Sequence, residues 1–328
     1  MAAVPTVSVI IPSYRRLERL PALIESYLAQ GADEVVVVLD GPHRDWQAVL
    51  SGAAGDARVQ VIELPLNRGL ALARIAGLDV ARGEVILVTD DDVLPGDGLV
   101  SRHREFHGEH RNHVLMGYMP VDLPSSRGPD EAATRLYARD YEKQVANWLN
   151  ANSHSLLGSL WGGNVSLSRE LYLRAEHYRS SQRLNYNEDL DLGIRLDRVG
   201  AVATFDPGAL ASHQHRRDFG GFVVECVVRG EAVADLEKRW GFLPGQLVPL
   251  VRIPGDYRQT AAWLQRLIGA RDDAGAVEYA FRFAYRSAGA VHAWAAQDAI
   301  ARLLRRGLTM RGYRLRSLQH AATNAIAR

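Results

Sequence analysis

Three consecutive carboxylates, Asp90-Asp91-Asp92, are the residues in this chain whose type and spacing most directly imply chemistry. Like charges this close repel, and one of them is driven toward protonation unless a cation sits among them. A hard divalent ion, Mg2+ or Mn2+, relieves that repulsion with oxygen ligands. In an extended segment Asp90 and Asp92 project to one face and Asp91 to the other, so Asp90 and Asp92 are expected to act on one ligand. A solvated acidic turn is the competing reading. A second group of polar residues, Ser212-His213-Gln214-His215-Arg216-Arg217, sets two imidazoles at i and i+2, which share a face if extended. No Cys/His ligand set of zinc spacing occurs.

The elements around these residues explain why they could converge. Val7–Ile11, Val35–Leu39, Val59–Leu64 and Glu84–Thr89 are short apolar runs that read as buried strands. Between them, 17–30 and 69–81 carry apolar residues at helical spacing. Near-continuous Val/Ile/Leu strands separated by helices predict a parallel sheet covered on both faces. Ligands bind such sheets beyond the carboxyl ends of the strands. Ser13-Tyr14-Arg15, Asp40 and the Asp90 cluster each follow a strand end, so the fold is expected to gather them on one rim.

The remaining composition narrows the class. The 328 residues suggest two units or one domain with an extension; the net charge of +1 gives no reason to expect nucleic acid. The lone Cys226, inside the apolar run 222–228, excludes an internal disulfide and reads as a buried small hydrophobe, which fits a reducing compartment. The first residues lack the charged-then-apolar pattern of a secretory leader, and no apolar run is long enough to span a bilayer; a cytoplasmic protein, at most peripheral at the inner face of a membrane, is expected. Residues 258–328 are rich in Ala, Leu and Arg with helical periodicity.

Six pieces occur in one order. They are Val7–Arg15, Leu39-Asp40-Gly41, Asn67-Arg68-Gly69 with Ala73-Arg74 and 81–84, Asp90–Asp92, Gly162-Gly163-Asn164, and Asn187–Leu192. In this order and spacing, over roughly residues 5–240, the chain resembles the inverting family 2 glycosyltransferases of GT-A fold. The resemblance implies an α/β GT-A (Rossmann-like) mostly parallel sheet flanked by helices, with a C-terminal helical extension. It divides the chain into 1–100 (nucleotide-sugar half), 101–245 (acceptor half) and 246–328 (helical extension).

The same resemblance implies roles. Pro12, Ser13, Tyr14 and Arg15 would shape the nucleoside pocket, and Asp40 would accept from a base N–H. Arg68 or Arg74 would face the base or the diphosphate. Asp90 would approach the ribose, and Asp92, with Asp90 or Asp91, would hold Mg2+ or Mn2+, whose charge offsets that of the departing nucleoside diphosphate. Gly163 and Asn164 would border the donor sugar. His213 or His215 would join the metal, with Arg216 or Arg217 on the diphosphate. Asp189 would take the acceptor hydroxyl's proton, with Glu188 as acceptor ligand or substitute; helix N-terminal capping is the other reading of both acids. Arg16 reads as surface charge, and Asp191 as structural.

The expected activity is transfer of a sugar from a nucleotide-diphospho-sugar, UDP by default, to the hydroxyl of a small molecule, glycan or lipid-linked acceptor, with inversion. A retaining transferase and a non-catalytic nucleotide-sugar-binding protein are the alternatives. A nucleotidyltransferase would carry a Gly-rich loop after the first strand, where Ser13-Tyr14-Arg15-Arg16 has no glycine. In the C-terminal stretch, Arg302, Arg305, Arg306, Arg311, Arg314 and Arg316 lie among Leu303, Leu304, Leu308, Tyr313, Leu315 and Leu318. Such a basic amphipathic helix packs on its own chain, on a second copy in a homodimer, or on an anionic membrane surface.

Overall fold

In a computed structural model the first half of the chain alternates strands and helices as expected. The structure describes residues 4–180, 183–242, 247, 263, 266–269 and 275–326. The strand β1 (Val7–Ser13) is buried along its whole length. A 3-10 turn at Leu17–Arg19 leads into α1 (Leu20–Ala29), which buries Leu20, Leu23, Ile24 and Tyr27. Gly31, at φ 83°, ends that helix in a conformation open to glycine. Next come β2 (Glu34–Leu39), the short α2 (Trp46–Val49) and α3 (Ser51–Ala54), β3 (Val59–Glu63), α4 (Leu70–Val80) and β4 (Val85–Thr89). The order β3-β2-β1-β4 is parallel throughout. Each fully buried Val or Ile in these strands contributes roughly 1.5–3 kcal/mol of transfer free energy.

Beyond β4 the sheet changes direction. The three-residue β5 (Val93–Pro95) and α5 (Leu99–Glu109) precede β6 (His113–Tyr118). The helices α6 (Ala132–Trp148) and α7 (Ser153–Leu157) lead to β7 (Asn164–Ser168), which lies antiparallel to both β4 and β6. Then follow α8 (Arg169–Glu176), α9 (Glu188–Arg198) and the long β8 (Val202–His213), parallel to β6 and paired antiparallel with β5. The full order is β3-β2-β1-β4-β7-β6-β8-β5. The parallel expectation therefore describes the first half of the sheet, and β7 is the strand that turns the second half around.

Two compact units divide the chain. The first comprises residues 1–122, 142–183 and 188–214 and contains the whole sheet. The second comprises 123–141, 184–187 and 215–328. It is built on α10 (Phe219–Trp240), α11 (Gly275–Ala290) and α12 (Trp294–Ile326), together with the first residues of α6. Its core holds Phe219, Phe222, Cys226, Tyr285, Leu304 and Leu308. Cys226 is buried there as expected, and burial pushes its thiol up to about 12.

The expected C-terminal helical extension is α11 and α12, and its amphipathic face is used internally. Gly230 of α10 and Gly312 of α12 let the two backbones meet: a Cβ at Gly230 would stand 2.0 Å from the Thr309 carbonyl oxygen. Arg305 pairs with Asp140, Arg311 with Glu278, and Arg316 with Asp235. The apolar stripe with Leu304 and Leu308 packs within the unit. Among the described residues no helix is long and apolar enough to cross a membrane.

Candidate functional site

The carboxyl ends of β1, β2 and β4 carry Ser13, Asp40 and the Asp90 cluster, because parallel neighbours end on the same side of a sheet. Asp40 is buried, and its carboxylate accepts from the Arg68 N–H at 2.6 Å, the Gly69 N–H at 2.8 Å and the Asn67 Nδ2 at 3.0 Å. It folds the Asn67-Arg68-Gly69 turn onto the end of β2. Three of its roughly four lone-pair sites are thereby occupied. Arg183 clasps the same turn through the carbonyl and amide oxygens of Asn67. Arg68 itself is exposed, offering its backbone N–H rather than its guanidinium to the turn.

After β1, Tyr14 is 43% exposed and Arg15 lies over its ring, with 5.0 Å from guanidinium carbon to centroid. Arg15 takes φ 60°, an uncommon value for a residue with a Cβ. Its N–H is received by His43 Nε2 at 2.9 Å, while His43 Nδ1 contacts the Gly41 carbonyl at 2.7 Å. With Nδ1 protonated and donating, Nε2 keeps the lone pair that accepts from Arg15. His43 therefore braces the β1 loop against the β2 loop. Sequence reading missed it, since only the fold brings the two loops together.

The acidic cluster departs from the extended geometry. The Val93 N–H bonds the Asp90 carbonyl at 3.1 Å, closing a turn over Asp91-Asp92, so alternation between faces does not apply. Asp91 and Asp92 face the same cation: Arg16 Nη1 donates to Asp91 Oδ1 and Asp92 Oδ2, each at 2.8 Å. Arg16, read from sequence as surface charge, is corrected to a member of the cluster. Ser13 Oγ donates to Asp91 Oδ2 at 2.7 Å. On the other side His213 Nε2 lies 3.2 Å from Asp92 Oδ1. His213 is the last residue of β8, paired opposite Val93 of β5. The polar segment 212–217 is strand up to this point.

Asp90 turns the other way. Arg74, on α4, is 3% exposed; its Nη2 donates to Asp90 Oδ1 at 2.9 Å and its Nη1 to Asp189 Oδ1 at 2.5 Å. Burial alone would lower the pKa of Arg74, but Asp189 and Asp90 outweigh it and raise it. The guanidinium thus ties the end of β4 to the first turn of α9. Asp189 Oδ2 also accepts from the Gly162 N–H at 2.8 Å. A Cβ at Gly162 would lie 2.4 Å from Asp189 Oδ1, and one at Gly163 3.0 Å from Asp90 Oδ2. The glycines make room for carboxylates. Asn164 is an interior residue: its amide accepts from His103 Nε2 and donates to the Ala209 carbonyl, both at 2.9 Å.

Burial raises the pKa of Asp90, Arg74 opposes this, and Asp189 and Asp92 add to it. Burial likewise raises Asp91 against the pull of Arg16 and Ser13. Burial, then the neighbouring Asp189, pushes Glu188 up to about 8. Acids held in such a state fit a divalent cation, which would restore their charged forms. Their oxygens together with one imidazole form a donor set suited to Mg2+ or Mn2+. Asp191 is buried and pairs with Arg195 at 3.1 Å.

In the second unit, His215 stacks on Tyr137 with centroids 4.2 Å apart. Arg216 Nη1 donates to the His215 carbonyl at 2.9 Å, and Arg217 Nε lies 2.8 Å from Glu225 Oε2.

Comparisons with known proteins bear on this arrangement. The model of the family described as glycosyl transferase family 2 matches residues 8–172, half of the chain. An uncharacterised glycosyltransferase of Bacillus subtilis, YfnE, is 33% identical over 113 residues, 34% of this chain and 29% of that protein. The succinoglycan biosynthesis protein ExoO of Rhizobium meliloti is 41% identical over 90 residues, 27% of this chain and 26% of that protein. The alignments thus span under a third of the length of these relatives. Among solved structures, a mannosyltransferase of Pyrobaculum calidifontis in complex with GDP-Man and Mn2+ superposes with TM-score 0.57 at 17% identity, over 92% of this chain and 86% of that one. The likeness shows the fold, GT-A.

Proposed function

We propose that this chain, which belongs to glycosyltransferase family 2, transfers a sugar from a nucleotide-diphospho-sugar to an acceptor hydroxyl with inversion at the anomeric carbon. The observation that carries the reading is the buried Arg74 fork, which fixes Asp189 beside Asp90 at the strand ends. One carboxylate is thereby set next to the acidic cluster and pointed by two donors.

Each residue has a task in this reading. Tyr14, with Arg15 over its ring and Pro12 and Ser13 behind it, offers a flat face to the base. Asp40 shapes the Asn67–Gly69 turn and keeps one lone-pair site for a base N–H. Asp90 faces the ribose. Asp92 and His213 would hold Mg2+ or Mn2+, with Asp91 beside them and His215 two residues along the chain as a further candidate. A bound divalent ion would supply charge neutralisation to the leaving diphosphate. Arg216 and Arg217 are candidates for the same phosphates. Asp189 accepts the hydroxyl proton as that oxygen attacks, in a single displacement that inverts configuration. UDP is the default nucleotide by family habit, and the acceptor is a small molecule, a glycan or a lipid-linked hydroxyl.

Glu188 is a second candidate base on a specific observation. Asp189 spends both oxygens on Arg74 and Gly162, whereas Glu188 carries the raised pKa that favours proton uptake. Asp189→Asn separates the two. Loss of about 10²- to 10⁴-fold in transfer, with nucleotide diphosphate binding kept, supports Asp189. Transfer within tenfold of the natural chain moves the role to Glu188. Anomer analysis of the product tests inversion; retention of configuration would end the single-displacement reading.

A further inference from the structure

Arg16 and a divalent ion would call on the same oxygens. Its Nη1 bridges Asp91 Oδ1 and Asp92 Oδ2, and the remaining Asp92 oxygen faces His213. Two carboxylates that converge on one cationic nitrogen, with an imidazole at the second oxygen of Asp92, supply the kind of donors a hard cation takes. Two cations in one seat repel, so an entering ion must displace the guanidinium or share the cluster at a penalty. The local backbone suits displacement. Arg16 follows Arg15, held at φ 60° by His43, and stands before the 3-10 turn at Leu17–Arg19. Its side chain is 39% exposed, so the guanidinium can move into water without a large desolvation change.

We infer that Arg16 is an internal competitor for the divalent ion, setting the concentration at which the Asp91-Asp92 seat accepts metal. The inference rests on the metal reading above and deepens it. The competitor lies on the donor-side loop, one residue beyond the Tyr14-Arg15 pair. Metal entry would thereby rearrange the loop that forms the nucleoside pocket.

The test is Mn2+ binding by the full chain without donor, followed by electron paramagnetic resonance of free Mn2+. Arg16→Gln is expected to bind Mn2+ about three- to tenfold tighter, the range for losing one or two partly exposed ion pairs. Arg15→Gln removes the same charge one residue away without touching the carboxylates, and is expected to shift affinity less than twofold. Equal or weaker binding by Arg16→Gln, or an equal gain in Arg15→Gln, overturns competition while leaving the metal reading intact. No Mn2+ binding by any of the three chains removes the metal reading itself. A second measurement needs no variant. Arg16 modification by phenylglyoxal, read by peptide mass spectrometry, should be accelerated severalfold by Mn2+. An unchanged or slower rate in a chain that binds Mn2+ contradicts displacement.

Discussion

Glu188→Gln should stabilise the folded chain above neutral pH, and by an amount that depends on pH. Glu188 begins α9 beside Asp189, and burial and that neighbour push its carboxyl from 4.5 to about 8. An acid whose folded pKa exceeds its unfolded one binds its proton longer when folded. Its contribution to stability is therefore intact below about pH 4.5, erodes as pH rises to about 8, and is constant beyond. Each pKa unit corresponds to about 1.4 kcal/mol, so a fully realised shift would approach ~5 kcal/mol. Glu188 is only half-buried, so solvent screens part of this and about 2–3 kcal/mol is the working expectation. Glutamine keeps the shape and has no charge to bury. Urea unfolding at pH 5, 7 and 9 measures the difference, which should be near zero at pH 5 and largest at pH 9. Parallel stability profiles across that range, or a variant less stable at pH 9, would refute the reasoning.

Gly162→Ala pushes a methyl against Asp189 Oδ1, so transfer should fall roughly 10²-fold, the effect of about 1 Å of misplacement, while the melting temperature moves by a few degrees at most. Initial rates and thermal melts on the same sample check this. Gly230→Ala meets backbone atoms of Thr309 and Tyr313, which cannot yield as a side-chain tip does; a loss of about 3 kcal/mol in the helical unit is expected by denaturant titration. Gly52→Ala, on the exposed α3 with open space around it, should instead gain about 0.5–1 kcal/mol in the same assay.

Much of this architecture was legible in the sequence because it is local. The Val/Ile runs of β1, β2 and β4 are buried on both faces and so lack alternation, and the Gly and Asp punctuation after them marks where the rim lies. The pieces of the family resemblance prove to be of two kinds. Asp40, the Asp90 cluster and Asp189 gather at the strand ends. Ala81-Arg82-Gly83-Glu84 serves the scaffold: the Gly83 N–H donates to Ser8 Oγ, and a Cβ there would lie 2.5 Å from the Ser8 nitrogen. What stayed hidden depends on long-range closure. Arg16 lies 75 and 76 residues from its partners in the acidic cluster, and Arg74 lies 115 residues from Asp189. A guanidinium gives no periodic signal of such a partnership. The turn over Asp91-Asp92 was missed because a strand-end triplet reads as extended until a backbone hydrogen bond folds it. Asn164 draws its partners, His103 and Ala209, from α5 and β8, which nothing in its own motif announces.

The central claim is that the strand-end acids and a divalent ion together hold a nucleoside diphosphate. Thermal melting of the natural chain and of Asp92→Asn, with UDP, GDP and dTDP, each with and without Mn2+, tests it most directly. A ligand that binds only the folded state at a hundred times its dissociation constant stabilises by about 2.7 kcal/mol, which is several degrees. The account predicts that at least one diphosphate raises the melting temperature of the natural chain only when Mn2+ is present, and that Asp92→Asn abolishes the rise. No diphosphate shift with Mn2+, or an undiminished shift in Asp92→Asn, would contradict it.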